Sequence, residues 1–196
     1  MLFFRIIARI LCKKKREDRL DKRIPYVDIT MRRSAALPLP VPPALPAGHA
    51  YRLYRPGDAM SWSRIEHLAG EFNDENSALR HFTQEFLPHE TELARRMAFI
   101  ADETGRPIAT ATAWFHAKDD KPEARLHWVA VIPEKQGFGF GRAVTAKAMS
   151  LFNGVGPDGD IILTTQTWSH IAIGLYLRLG FIPKSDDLIK LDDYFY

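Results

Sequence analysis

Residues Val129–Val144, VAVIPEKQGFGFGRAV, decide how the chain is read. Gly137, Gly139 and Gly141 stand on alternate positions between a strand-like run and a helix-like run. A dinucleotide-binding turn, G-x-G-x-x-G, needs its third glycine where Arg142 stands, or, counted from Gly139, where Val144 stands. A nucleoside-triphosphate loop needs a lysine directly after its last glycine, and Arg142 occupies that place. Both readings fail. A simpler one survives: a glycine-rich loop that opens a helix presents bare backbone N–H groups to an anion.

Working outward, the pattern alternates between strands and helices. On the N-terminal side, YRLYR from Tyr51 reads as a strand, and PGD supplies a turn with Asp58 placed to cap a helix. SWSRIEHLAGEF and ENSALRHFTQEF carry helical spacing. MAFIAD and RPIATATAWFHA read as strands joined by a turn at Glu103–Gly105, and ARLHWVAVI as the strand that enters the glycine loop. On the C-terminal side, RAVTAKAMSLF places Val144, Ala148, Leu151 and Phe152 on one helical face. DIILTTQ then reads as a strand, SHIAIGLYLRLG as a helix and FIP as the start of a last strand. This order predicts a mixed α/β (α+β) fold with helices on both faces of a central sheet.

Composition bounds the rest. A chain of 196 residues with 46% hydrophobic content suits one domain plus an appendage. The single cysteine, Cys12, excludes an intrachain disulfide framework and a Cys-based metal site, so a reducing, cytoplasmic location is expected. The net charge of +3 is uneven. Residues 1–33 hold 11 Lys/Arg against 4 Asp/Glu, a net of +7, and the rest hold 16 against 20, a net of −4. The basic character therefore belongs to the N-terminal segment, and no basic stripe with interleaved aromatics points to nucleic acid.

That segment, residues 1–48, reads as an extension ahead of a domain over 49–196. MLFFRIIARILC sets Leu2, Phe3, Ile6, Ile7, Ile10 and Leu11 on one face and Arg5, Arg9 and Lys13 on the other. It is shorter than the roughly 20 apolar residues a bilayer span takes. Two readings stay open for residues 1–16: weak peripheral contact with an anionic membrane, or a helix packed on the domain. Ile24, Tyr26, Val27 and Ile29 suit a short strand, and five prolines within residues 37–46 force polyproline-like extension.

Val131-x-Pro133-x-x-Gln136-Gly137-x-Gly139-x-Gly141, after a strand and before a helix, resembles the acetyl-CoA motif of the GNAT N-acetyltransferase superfamily. ILTTQTWSHIAIGLYLRLGF resembles the same family's closing strand, helix and strand, with Ala172, Tyr176 and Gly180-Phe181 at matching spacings. The resemblance covers roughly residues 49–185. It implies a mostly antiparallel central sheet and acetyl transfer to an amine, with acetyl-CoA as cosubstrate and no metal. The family often has Asn where this chain has Ser169 at the helix start, and serine keeps the capacity to cap.

Carried onto this sequence, the resemblance implies that Gln136, Gly137, Phe138, Gly139, Phe140, Gly141 and Arg142 hold the coenzyme A pyrophosphate, with Ser169 also at the cofactor. Backbone groups of Val129, Ala130 and Val131 then pair with the pantetheine arm. It places Tyr176 at the general-acid position beside the thioester sulfur. The plainer reading of Tyr176 is an apolar helix face shared with Ala172 and Leu179. His127, alternating with Val129 and Val131, is expected on the cofactor's face as a candidate base, beside a water-relayed base or a structural histidine.

The acceptor is left open. Residues 66–92 hold Glu66, Glu71, Asp74, Glu75, Glu85, Glu90 and Glu92 against Arg80. They read as a solvated helix face or as an acidic rim suited to a cationic amine. Trp62, Phe82, Phe86, His89 and Trp114 line a pocket or fill the core. A non-catalytic acyl-CoA-binding or regulatory module on the same fold is the alternative function, and the oligomeric state is open.

Overall fold

The computed structural model describes residues 25–118, 121–152 and 159–187. In chain order its elements are β1 (Asp28–Arg33), β2 (Ala50–Leu53), α1 (Ala59–Ala69), α2 (Glu75–Glu85), α3 (Glu90–Arg96), β3 (Met97–Ala101), β4 (Pro107–Lys118), β5 (Lys121–Val131), α4 (Phe140–Ser150), β6 (Ile161–Gln166), α5 (His170–Arg178) and β7 (Ile182–Pro183). They fall into two compact units, residues 38–158 and residues 1–37 with 159–196. The mixed α/β class and the mostly antiparallel strand arrangement agree with expectation. The amphipathic N-terminal helix expected over residues 1–16 lies outside the described residues.

In the unit of residues 38–158, β2, β3, β4 and β5 pair antiparallel in that order. The β3–β4 hairpin turns at Gly105, φ 82, where Asp102 Oδ1 accepts from the backbone N–H of Thr104 and of Arg106, both at 3.0 Å. A left-handed residue closes such a turn at no steric cost only when it is glycine. α1 starts after Asp58, but the Asp58 side chain does not cap it as expected. Its carboxylate instead accepts from both Arg52 guanidinium nitrogens, at 2.6 and 2.7 Å, and from the Arg55 N–H at 2.7 Å. A two-toothed charged pair outcompetes a neutral backbone donor. α2 does have its box: Asp74 accepts from the Ser77 N–H at 2.6 Å.

α1 packs on α2, β4 and β5. Its buried face, Trp62, Ser63, Ile65 and Glu66, meets an aromatic cluster in which Trp62 lies 5.2 Å from Phe82 and 5.7 Å from Phe86, ring centre to ring centre. Trp62, Phe82 and Phe86 are fully buried, so they fill the core, and each contributes roughly 1.5–3 kcal/mol by leaving water. The end of the Pro-rich segment and the residues just after it are anchored on this unit. Tyr51 Oη donates to the Pro43 carbonyl at 2.8 Å, and the His49 ring lies 4.8 Å from that of Phe140.

In the other unit, β1 is the middle strand, antiparallel to β6 and β7. Ile29, Met31 and Arg33 are its buried face. Arg33 Nε donates to the Leu179 carbonyl at 2.8 Å, a cation at the carbonyl end of α5. Ile24, Tyr26, Val27 and Ile29 predict a short strand; the observed strand, Asp28–Arg33, is displaced toward Arg33 because the alternation that buries Ile29 continues through Met31.

Candidate active site

β5 ends at Val131, a 3-10 turn covers Pro133–Lys135, and α4 begins at Phe140 with Gly139 in its N-cap position. Gly137 and Gly139 both have φ 86, a conformation closed to most residues with a Cβ. A Cβ at either would meet nothing within 4 Å, so no packing demand of the fold fixes glycine there. Backbone handedness does, and it leaves the surrounding space to a partner. No side chain caps α4 and no acidic residue stands in its first turn. The N–H groups of Phe140, Gly141 and Arg142 lie ahead of the first intrahelical bond, from the Ala143 N–H to the Gly139 carbonyl at 3.0 Å. An uncapped, positively polarised helix end of this kind suits a phosphate.

The flanking residues divide. Phe138 is 70% exposed and Arg142 is exposed, whereas Phe140 is buried. Gln136 Nε2 donates to the Val131 carbonyl at 2.7 Å, so one of the three strand residues expected to pair with a pantetheine arm already has a side-chain partner. Ala130 and Val131 are buried and Val129 is half-buried.

The strand ahead of the loop is not regular. Thr110 faces Ala130 and Thr112 faces His127, so two steps on β4 span three on β5. This bulge centres on Trp128, whose φ of 48 makes it the non-glycine residue with a positive φ among the described residues. Such a conformation costs an indole-bearing residue on the order of 1–3 kcal/mol. It is held by packing: the Trp128 ring stacks on Phe72 at 5.3 Å and meets Trp62 edge-on at 5.4 Å. The bulge also corrects the simple alternation. His127 shares its side of the sheet with Ala130, Thr110 and Thr112, not with Val129 and Val131.

On that side waits Glu85, the last residue of α2. His127 Nε2 lies within hydrogen-bond distance of Glu85 Oε1, at 2.6 Å, and the Trp128 Nε1–H donates to Oε2 at 3.0 Å. His81, one turn earlier on α2, has its Nε2 at 2.5 Å from Oε2. Burial pushes the Glu85 carboxyl up, but hydrogen bonds from His127 and Trp128 and the charges of His127 and His81 outweigh it and hold the group at about 2. Glu66 is the opposite case. It is fully buried, neither oxygen has a hydrogen-bond partner among the described residues, and burial, with the charge of Glu71, pushes its carboxyl well above the usual range. The buried Trp62 indole N–H and the Thr110 and Thr112 hydroxyls are also without partners among the described residues. The solvated-face reading therefore fails for Glu66, which is buried without a partner among the described residues, and for Glu85, whose pairing with His127 and Trp128 across the fold leaves no local sequence signal.

Tyr176 and Ser169 belong to the other unit. Tyr176 is buried on α5, with its ring 6.0 Å from that of Phe181. Ser169 holds the N-cap position of α5, but its side chain makes no cap bond. Among the described residues no group of three His, Cys, Asp or Glu is arranged as a metal site, and no helix is long and apolar enough to cross a membrane.

The sequence profile of the Acetyltransferase (GNAT) family matches residues 60–181. The chain belongs to the GNAT family. Among curated relatives it is 28% identical over 170 residues to a mycothiol acetyltransferase of Nocardia farcinica, covering 81% of this chain and 53% of that protein. It is also 28% identical over 163 residues to a mycothiol acetyltransferase of Thermobispora bispora, covering 81% and 55%. The chain thus spans about half the length of the curated relatives it matches. A crystal structure of a GCN5-related N-acetyltransferase from Sphaerobacter thermophilus shares the fold, with TM-score 0.59 and 21% identity over 82% of this chain and 50% of that one.

The GNAT cosubstrate fits what the loop offers. Coenzyme A carries a pyrophosphate, and the α4 N-terminus supplies N–H donors with no competing cap beside glycines whose missing side chains leave room for close approach.

Proposed function

We propose that this chain transfers the acetyl group of acetyl-CoA to a primary amine, with both substrates bound together. The single observation that carries the reading is the uncapped α4 N-terminus behind Gly137 and Gly139, inside a segment matched by the GNAT profile. Backbone N–H groups from Gly137 to Arg142 bind the pyrophosphate, and Gln136 steadies the end of β5 through Val131. Val129, Ala130 and Val131 contact the pantetheine arm, and Ser169 is a further cofactor-binding residue. Holding the acyl donor this way removes much of the entropic cost of bringing two molecules together.

Acetyl-CoA supplies an activated acyl group on a thiol leaving group. The residues supply proton handling. His127 takes a proton from the acceptor ammonium, which frees the nitrogen lone pair to form the new C–N bond. Tyr176 Oη donates its proton to the departing coenzyme A sulfur as the C–S bond breaks.

The acceptor is proposed to be a small amine, and the relatives' names put a mycothiol-type molecule first among candidates. The ionised, half-buried Glu85 at the end of α2 supports a cationic acceptor near it. A cytoplasmic location, with peripheral membrane contact through residues 1–16, completes the proposal. The test is acetyl-CoA turnover by the full-length chain against a panel of mycothiol-type, aminoglycoside and peptide amines. Acetylation of a panel member supports the reading; tight acetyl-CoA binding with no acceptor turned over favours the non-catalytic module instead.

A further inference from the structure

The Glu85 carboxylate sits between two histidine rings and an indole N–H, and it stays ionised at any pH where the protein would work. An ionised carboxylate only accepts hydrogen bonds. The His127 nitrogen that faces it at 2.6 Å must therefore carry a hydrogen. That nitrogen is Nε2, so in the neutral ring the lone pair lies on Nδ1. No described group bonds His127 Nδ1, and the side chain is 29% exposed. The same carboxylate takes the Trp128 indole on its other oxygen, which ties it to the strained residue at the centre of the bulge.

We propose that Glu85 is a positioning residue that fixes His127 in the Nε2–H form and so makes Nδ1 the atom that accepts the acceptor's proton. This rests on the proposed role of His127 as base. The bulge puts His127 on the α2 side of β5, α2 ends where Glu85 reaches it, and Trp128 keeps the carboxylate from turning away. When the ammonium proton moves to Nδ1, the ring becomes an imidazolium with Nε2–H still bonded to Glu85. The positive charge then forms beside a fixed negative one, and no proton passes to Glu85. Without the carboxylate, either nitrogen can carry the hydrogen, and part of the population presents N–H where a base is needed.

Histidine 15N–1H spectra of the full-length chain, recorded where the rings are neutral, decide the tautomer directly. His127 is assigned by the signal lost in His127→Asn. The wild type is expected to show an unprotonated Nδ1 and a protonated Nε2, and Glu85→Gln, whose amide can donate or accept, a mixture of the two. Wild-type His127 with the hydrogen on Nδ1, or an unchanged pure tautomer in Glu85→Gln, overturns the proposal. Kinetics with the best acceptor give the second arm. Glu85→Gln is expected to lower kcat about tenfold or more with both KM values within a few-fold, and the same change made in the His127→Asn background to lower it little further. Full wild-type kcat in Glu85→Gln overturns the proposal even if the spectra agree. Full kcat in His127→Asn shows instead that the base itself was misassigned, while the spectra still report whether Glu85 sets the tautomer.

Discussion

Gln136 Nε2 donates to the Val131 carbonyl at 2.7 Å, a clamp that joins the last residue of β5 to the mouth of the glycine loop. The bond joins residues five positions apart across Pro133, so it fixes where the strand stops and where the first glycine begins. Gln136→Ala is expected to leave the fold standing, with a loss of about 1 kcal/mol for one neutral hydrogen bond. Acetyl-CoA affinity should fall several-fold by calorimetry, since the loop starts from a less fixed position. Unchanged affinity would mean that the loop holds its shape without the clamp.

Gly139→Ala tests the loop itself. Alanine at φ 86 costs roughly 1–2 kcal/mol, although its methyl group meets nothing in the protein. A modest drop in melting temperature should accompany a large drop in acetyl-CoA affinity, because the methyl group occupies the space proposed for the pyrophosphate. A variant that loses stability but binds acetyl-CoA normally would place the pyrophosphate elsewhere.

Asp58→Asn removes the charge that Arg52 grips while leaving a residue able to cap α1. Arg52 and Asp58 are mostly buried, at 17% and 13% side-chain exposure, so the pair is worth more than a surface one. A loss of about 1.5–3 kcal/mol in urea unfolding is expected, the range for hydrogen bonds to charged groups. A loss below half a kcal/mol would show that Asp58 acts as an ordinary cap after all.

Glu66 and Glu85 should tilt stability with pH in opposite directions. The Glu66 carboxyl is raised in the folded state by burial, so its favourable contribution is complete below the unfolded value of 4.5 and is lost as pH rises. Glu85 is depressed to about 2, so its contribution is present above 4.5 and lost as pH falls from there through about 2. Glu66→Leu is therefore expected to raise stability at pH 8 by about 1–3 kcal/mol and to flatten the fall between pH 5 and 8. Urea unfolding of both proteins at the two pH values checks this. Equal slopes would show that Glu66 is not titrating from a buried site.

Much of this arrangement was legible in the sequence for physical reasons. Period-2 and period-3.6 patterns located β2 to β6 and the helices α1, α2, α4 and α5, and the glycines marked a loop that the structure builds with left-handed backbone. Other features carried no such mark. α3, Glu90–Arg96, has only seven residues, too few for a hydrophobic period to declare itself. The bulge rests on a tryptophan, a residue that favours regular strands, and its strain is held by partners on α1 and α2. Glu85 and His127 are 42 positions apart, so a carboxylate that reaches the β5 histidine reads in the sequence as one more charge on a helix face. Only the fold brings them together.

Tyr176→Phe tests the central claim most directly. The full-length wild type and the variant are compared for coenzyme A release and acetyl-amine formation with the best acceptor of the panel, alongside acetyl-CoA affinity. The ring remains to pack against Phe181, so folding should persist and affinity should stay within a few-fold. The account predicts that the wild type acetylates the amine and that kcat of the variant falls on the order of 10²-fold, the usual scale for a lost general acid. A variant that acetylates the amine at the wild-type rate would contradict it, leaving Tyr176 as part of the core and the thiolate to depart without its proton.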